Sequence, residues 1–169
     1  MVKDGKSKSM EKLGSEFRQD QEHQTFSSNP LGPFGFKLEH ASADKVSGRF
    51  QVTPKCCQPI GTLHGGVSAL IAEDLGSMGV YLASGRRKVT GIEVCISHLK
   101  RAQVGDIVQA EATPLNPGTT IQAWEVRFWK IDSTSSGNKS LLASSSVTVL
   151  CNMSGNAKDG QNNVKQAKL

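Results

Sequence analysis

Two adjacent carboxylates, Glu73 and Asp74, lie eight and nine residues after the first glycine of the run His64-Gly65-Gly66. Such residues can act on a polarised carbonyl. A carboxylate set in an apolar stretch is costly to keep ionised without a partner or a purpose, and two neighbours raise the cost of ionising both. Glycines that open a helix leave backbone N–H groups uncovered by any Cβ, and those groups can receive a developing negative charge. Structural readings stand beside the chemical ones. Glu73 also suits a solvated or interface position on a helix margin, the glycine pair also suits a tight start that lets the helix pack closely, and His64 also suits a structural hydrogen-bonding role. Asp74 caps, pairs with a cation such as Arg101, or is itself the functional acid; periodicity does not choose.

The element that carries these groups reads as a helix running from the glycine pair to about residue 84. At 100° per residue, Val67, Ile71, Leu75, Met78 and Leu82 form an apolar stripe, with Leu70 at its margin. The opposite side is small, with Ala69, Ala72, Gly76 and Ala83. That pattern predicts a helix buried nearly all round, with something packed close on its small side. Ser84-Gly85-Arg86-Arg87 supplies a stop, a glycine followed by cations that suit the C-terminal dipole.

Before the helix, residues 36–40 and 46–52 alternate and make a hairpin candidate. After it come strand patterns at 89–99, 106–112, 120–129 and 141–150. In the third of these, Ile121, Ala123, Val126 and Phe128 compete for the inner face around an expected bulge. Gln103-Val104-Gly105-Asp106 and Asn116-Pro117-Gly118 read as turns. An antiparallel sheet must cover its apolar face, and one helix is available to do it. The expected architecture is α+β: one central helix wrapped by a curved antiparallel sheet of about five to six strands.

The 169 residues suit a single domain at 30–152, with a weakly ordered arm at 1–29 and a flexible tail at 153–169. No apolar run approaches the ~20 residues of a membrane span, and no apolar core follows the early lysines, so neither a membrane segment nor a secretory signal is expected. The four cysteines have no metal-ligand spacing and read as reduced thiols of an intracellular protein; no metal or cofactor is expected. A net charge of +5, scattered and not interleaved with aromatics, suits an anionic small molecule rather than nucleic acid. There is no Gly-x-Ser-x-Gly elbow and no dinucleotide fingerprint, which sets aside a serine-triad hydrolase and a Rossmann enzyme.

A helix wrapped by a sheet, opened by His64-Gly65-Gly66-Val67 and carrying Glu73, resembles the hotdog-fold acyl-CoA thioesterases, in the group similar to 4-hydroxybenzoyl-CoA thioesterase. Cys56-Cys57-Gln58-Pro59, Ser97-His98-Leu99-Lys100 and Gly105-Asp106 extend the likeness to the plant 1,4-dihydroxy-2-naphthoyl-CoA thioesterases. Where plant members carry a serine after the glutamate, this chain has Asp74. The resemblance implies hydrolysis of an aromatic acyl-CoA in phylloquinone synthesis. It implies that Gly65 N–H polarises the thioester carbonyl, that Glu73 attacks it or activates water, that Gln58 and His64 border the carbonyl and water, and that Ser77 touches the acyl side. Gly66 and Asp74 are expected to contact the acyl-CoA substrate, and Arg86, Arg87, Lys100 and Arg101 are candidates for the CoA phosphates. A broader fatty or benzoyl-type acyl-CoA thioesterase and a catalytically silent acyl-CoA-binding hotdog protein are the alternatives.

Spacing adds a further expectation. Eight residues separate Gly65 and Glu73, about 12 Å along one helix. A reacting carbonyl carbon must lie within roughly 3–3.5 Å of its nucleophile while its oxygen meets the donor. Two antiparallel copies can satisfy both demands, so the site is expected to be shared in a homodimer, with a homotetramer implied by the family. Ala167-Lys168-Leu169 resembles the Ser-Lys-Leu address, which points to a peroxisomal import receptor, with the cytoplasm as the alternative location.

Overall fold

The alternating residues ahead of the glycine pair form the expected hairpin: β1 (Lys37–Ala41) pairs antiparallel with β2 (Val46–Gln51). In the computed structural model, residues 30–132 and 138–151 are described. The chain divides into two units, Met1–Pro33 and Phe34–Leu169, and the strands and long helix all belong to the second. The expected arm at 1–29 and the tail with its Ala167-Lys168-Leu169 ending lie outside the described residues.

After β2, Pro54 opens a single 3-10 turn, Pro54–Cys56, and the chain reaches helix α1 (Gly65–Ala83). Ser84 caps α1, Gly85 takes φ 74°, and Arg86 N–H returns to Tyr81 O at 2.7 Å, closing the helix end near the expected stop. Strands β3 (Val89–His98), β4 (Ile107–Asn116), β5 (Ile121–Ile131) and β6 (Lys139–Cys151) complete one six-stranded antiparallel sheet in the order β1-β2-β4-β5-β6-β3. Among the described residues β3 pairs only with β6, so the chain crosses from the sheet's far edge to its middle before β4. Sequence order does not reveal that crossing.

The sheet curves around α1 as expected and packs close on its small side, while the apolar stripe is buried only in part. The buried residues of the helix are Val67, Ser68, Ile71, Ala72, Leu75, Gly76, Gly79 and Val80, whereas Leu70, Met78 and Leu82 are only half-buried. The reason is close packing on small residues. A Cβ at Gly76 would stand 2.9 Å from Val147 Cβ, and one at Gly79 would overlap the Trp124 ring. Ile71 and Leu75 of the same helix are fully buried, each contributing about 1.5–3 kcal/mol by leaving water.

The β5 expectation also needs correcting. Its inner face is Gln122, Trp124, Val126 and Phe128, in unbroken alternation, and Ile121 and Ala123 face outward. The bulge against β6 lies later, at Phe128/Trp129. A buried indole N–H needs an acceptor. Trp124 Nε1 donates to Gln122 Oε1 at 3.1 Å, which explains a glutamine inside the core where the apolar pattern excluded it.

Candidate active site

His64 is the N-cap of α1, in extended conformation (φ −72°, ψ 130°), and its Nδ1 accepts the Gly66 N–H at 2.9 Å. Accepting through Nδ1 leaves the proton of the neutral ring on Nε2. The cap also corrects the expectation that both glycine N–H groups stand open. Gly66 N–H is satisfied by the imidazole, and only Gly65 N–H has no acceptor among the described residues. An unbonded donor at a helix N-terminus is poised for negative charge. The His64 backbone is itself held, its N–H donating to Cys56 O at 2.8 Å.

Gly65 opens into a cleft of about 290 Å³ that also presents Gln58, Thr62, Ser68, His98, Lys100 and Arg101. The loop before the helix places Gln58. Its backbone N–H reaches Thr62 O at 2.9 Å, its Nε2 donates to Thr62 Oγ1 at 2.8 Å, and Gly61 closes the turn at φ 76°. Gln58 Oε1 makes no hydrogen bond among the described residues. Lys100 is steadied by Ser140 Oγ at 2.8 Å. His98, at the end of β3, lies in a stretch that carries the family resemblance, yet the sequence assigns it no role at the site. A Cβ at Gly65 would stand 3.0 Å from its Cε1, so the imidazole lies close beside Gly65. Only the sheet's wrap around α1 brings the two together; their 33-residue separation carries no signal.

Glu73, Asp74 and Ser77 do not line that cleft. Glu73 is exposed, and its Oε1 lies over Gly91 of β3, where an added Cβ would be 2.9 Å away. Asp74 is half-buried, and desolvation, followed by the neighbouring Glu73 charge, raises its carboxyl above the usual aspartate range. Arg101 does not pair with it: among the described residues Asp74 makes no ion pair. Ser77 Oγ, one turn beyond Glu73, is buried without a hydrogen-bond partner among those residues.

The basic candidates divide. Lys100 and Arg101 line the cleft, whereas Arg86 and Arg87 sit past the other end of α1, about 27 Å away along its axis. Arg87 is tied to backbone there, donating to Ser84 O at 2.9 Å and Thr119 O at 3.2 Å. Among the described residues, no group of three or more His, Cys, Asp or Glu could hold a metal, and no helix is long and apolar enough to cross a membrane.

Residues 60–136, which span the helix opening, Glu73 and strands β3 to β5, match the thioesterase superfamily model. The chain is 28% identical to a solved thioesterase from Haemophilus influenzae, with a TM-score of 0.65 over 79% of this chain and 91% of that one. The chain belongs to the thioesterase superfamily, and a long helix wrapped by six antiparallel strands is its hotdog fold. It is 49% identical over 125 residues to 1,4-dihydroxy-2-naphthoyl-CoA thioesterase 2 of Arabidopsis thaliana, covering 73% of this chain and 80% of that protein. It is 33% identical over 102 residues to the 1,4-dihydroxy-2-naphthoyl-CoA hydrolase of Escherichia coli, covering 60% and 74%.

Proposed function

We propose that this protein hydrolyses 1,4-dihydroxy-2-naphthoyl-CoA to 1,4-dihydroxy-2-naphthoate and CoA, as a step of phylloquinone synthesis. The likeness to the Arabidopsis and Escherichia coli proteins supports the substrate. The observation that carries the mechanism is the unpartnered Gly65 N–H at a helix N-terminus, opening into a cleft lined by Gln58, Lys100 and Arg101. The thioester oxygen sits at that N–H, where the helix dipole stabilises its negative charge as the carbon becomes tetrahedral. Gln58 and the Nε2–H of His64 border the carbonyl and the water. Lys100 and Arg101 meet CoA phosphate, with Arg86 and Arg87 as more distant candidates.

Glu73 either attacks the carbonyl carbon, forming an anhydride that water then cleaves, or takes the proton of an attacking water. Both routes expel CoA thiolate. Because Glu73 lies outside the cleft that holds Gly65, the nucleophilic carboxylate comes from a second copy of the chain. Glu73 of one subunit faces Gly65 of the other, with Asp74 beside it and Ser77 against the acyl group. Strand β3 supports this assembly: it is an edge strand, with Ile92 on it 54% exposed and Leu99, just past its end, 57% exposed. An unpaired apolar edge is a template for pairing with another strand. We assign the catalytic unit to residues 30–152, place two sites in each homodimer, and pair dimers into a tetramer. On the likeness of Ala167-Lys168-Leu169 to Ser-Lys-Leu we also propose a peroxisomal location, tested by following a fluorescent fusion with and without those residues.

The deciding assay is release of free CoA from 1,4-dihydroxy-2-naphthoyl-CoA, benzoyl-CoA and palmitoyl-CoA by wild type, Glu73→Gln and Asp74→Asn. Strong preference for the naphthoyl thioester, lost only in Glu73→Gln, upholds the proposal. Preference for palmitoyl-CoA overturns the substrate and keeps the mechanism. Binding of all three without cleavage makes the chain an acyl-CoA-binding protein.

A further inference from the structure

Gly91 of β3 is a glycine that its backbone does not require. Its φ lies outside the left-handed region, where Gly35, Gly61, Gly85 and Gly105 are found, so an ordinary side chain fits the main chain here. Glycine inside a strand weakens it and marks a bulge or a close approach. Both occur at Gly91. The β3–β6 register slips between Gly91 and Glu93, and the Glu73 carboxylate from α1 occupies the space a side chain would fill. An added Cβ would be 2.9 Å from Glu73 Oε1, 3.6 Å from its Cγ and 3.7 Å from its Cδ. The three atoms nearest that point all belong to Glu73, so the gap at Gly91 is filled first by this one side chain.

We infer that Gly91 is a positioning residue for the reaction: its missing side chain is the seat of the Glu73 carboxylate. The inference rests on the proposed role of Glu73 as the attacking or water-activating group. Glu73 has three rotatable bonds and is exposed, so a methyl at position 91 pushes it aside without disturbing the fold. The adjacent bulge has the same purpose, since a bulge locally re-aims the strand beside a site. Displacing a reacting group by about 1 Å costs on the order of 100-fold in rate. The fold, by contrast, gains from replacing a strand glycine with alanine.

The test uses full-length wild type, Gly91→Ala, Glu73→Asp, Glu73→Gln and the Gly91→Ala/Glu73→Asp double variant. Release of CoA from 1,4-dihydroxy-2-naphthoyl-CoA supplies kcat and KM, and thermal unfolding supplies the melting temperature. In Gly91→Ala, kcat falls roughly 10- to 100-fold while KM stays within about twofold and the melting temperature is no lower than wild type. The shorter aspartate no longer reaches the added methyl, so the same change costs distinctly less in the Glu73→Asp background. A wild-type kcat in Gly91→Ala, an equal loss in both backgrounds, or a melting temperature several degrees lower overturns the inference. Glu73→Gln is the control for its premise: if that variant keeps wild-type kcat, the role given to Glu73 fails first.

Discussion

Replacing Gly65 with proline removes one hydrogen-bond donor and little else. Gly65 is the first residue of α1, the position where proline is favoured because the N–H there bonds to nothing within the helix. The residue before a proline must be extended, and His64 already is, at φ −72° and ψ 130°. Proline also brings a Cβ, which would stand 3.0 Å from His98 Cε1, so Gly65→Ala, with the same Cβ and the N–H intact, is the reference. The activity ratio of the two variants isolates the donor. Loss of one oxyanion donor costs about 10²–10³ in kcat, or about 2.7–4 kcal/mol of transition-state stabilisation. Stability does not follow the same trend, because Gly65 N–H has no acceptor to lose and a compatible proline restrains the unfolded chain by about 0.4–1 kcal/mol. Continuous thiol detection of released CoA gives kcat, and urea unfolding gives stability. If Gly65→Pro is as active as Gly65→Ala, the Gly65 N–H does not bind the developing oxyanion, and the reasoning is refuted.

Other expectations follow from single contacts. His64→Ala loses the cap on Gly66 N–H and about 1 kcal/mol of stability, and His64→Asn, an equally good N-cap, restores stability but not rate; recovery of both by asparagine reduces His64 to a cap. Asp74, with a carboxyl raised above its ordinary value of 3.8, binds its proton more tightly folded than unfolded, so its effect on stability worsens as pH rises through the raised value. Asp74→Asn is therefore more stable than wild type at pH 7, with the gap closing near pH 3, and urea unfolding that shows one gap at both pH values refutes it. Gly79→Ala gains about 1 kcal/mol of helix propensity yet overlaps buried Trp124 at an overpacking cost of about 1–3 kcal/mol, so calorimetry should show net destabilisation of up to about 2 kcal/mol.

How much of this was legible in the chain depends on the range of the interaction that sets it. Local rules sufficed for α1 and its ends. The glycine pair, the small and large side chains at helical spacing, and Gly85 at the stop are all read within a few residues. The hairpin and most strand spans follow from alternation in the same way. Even the separation of Gly65 from Glu73 along the helix is arithmetic on the residue numbers. The inner face of β5 was not legible, because Gln122 faces inward to satisfy the Trp124 indole, and a polar residue cannot announce a buried partner through an apolar pattern. Nor was the partial exposure of Leu70, Met78 and Leu82 on α1, whereas the close packing at Gly76 follows from the small residues on that side.

At the site, residue types were enough to mark His64, Gly65 and the pair Glu73 and Asp74 as candidates, and the family resemblance chose Glu73 between the two carboxylates. Which glycine N–H stays open is also set locally, by the His64 imidazole accepting from Gly66 two residues on. Tertiary structure decided that His98 lies against Gly65 and Gly91 under Glu73, pairs formed only when the edge strand β3 closes over the helix. It also separated Lys100 and Arg101 from Arg86 and Arg87, which one dimension had grouped as a single basic set. A sequence records what each side chain can do within a turn or a strand pair. Which groups meet across 18 or 33 residues is decided by how the sheet bends around α1.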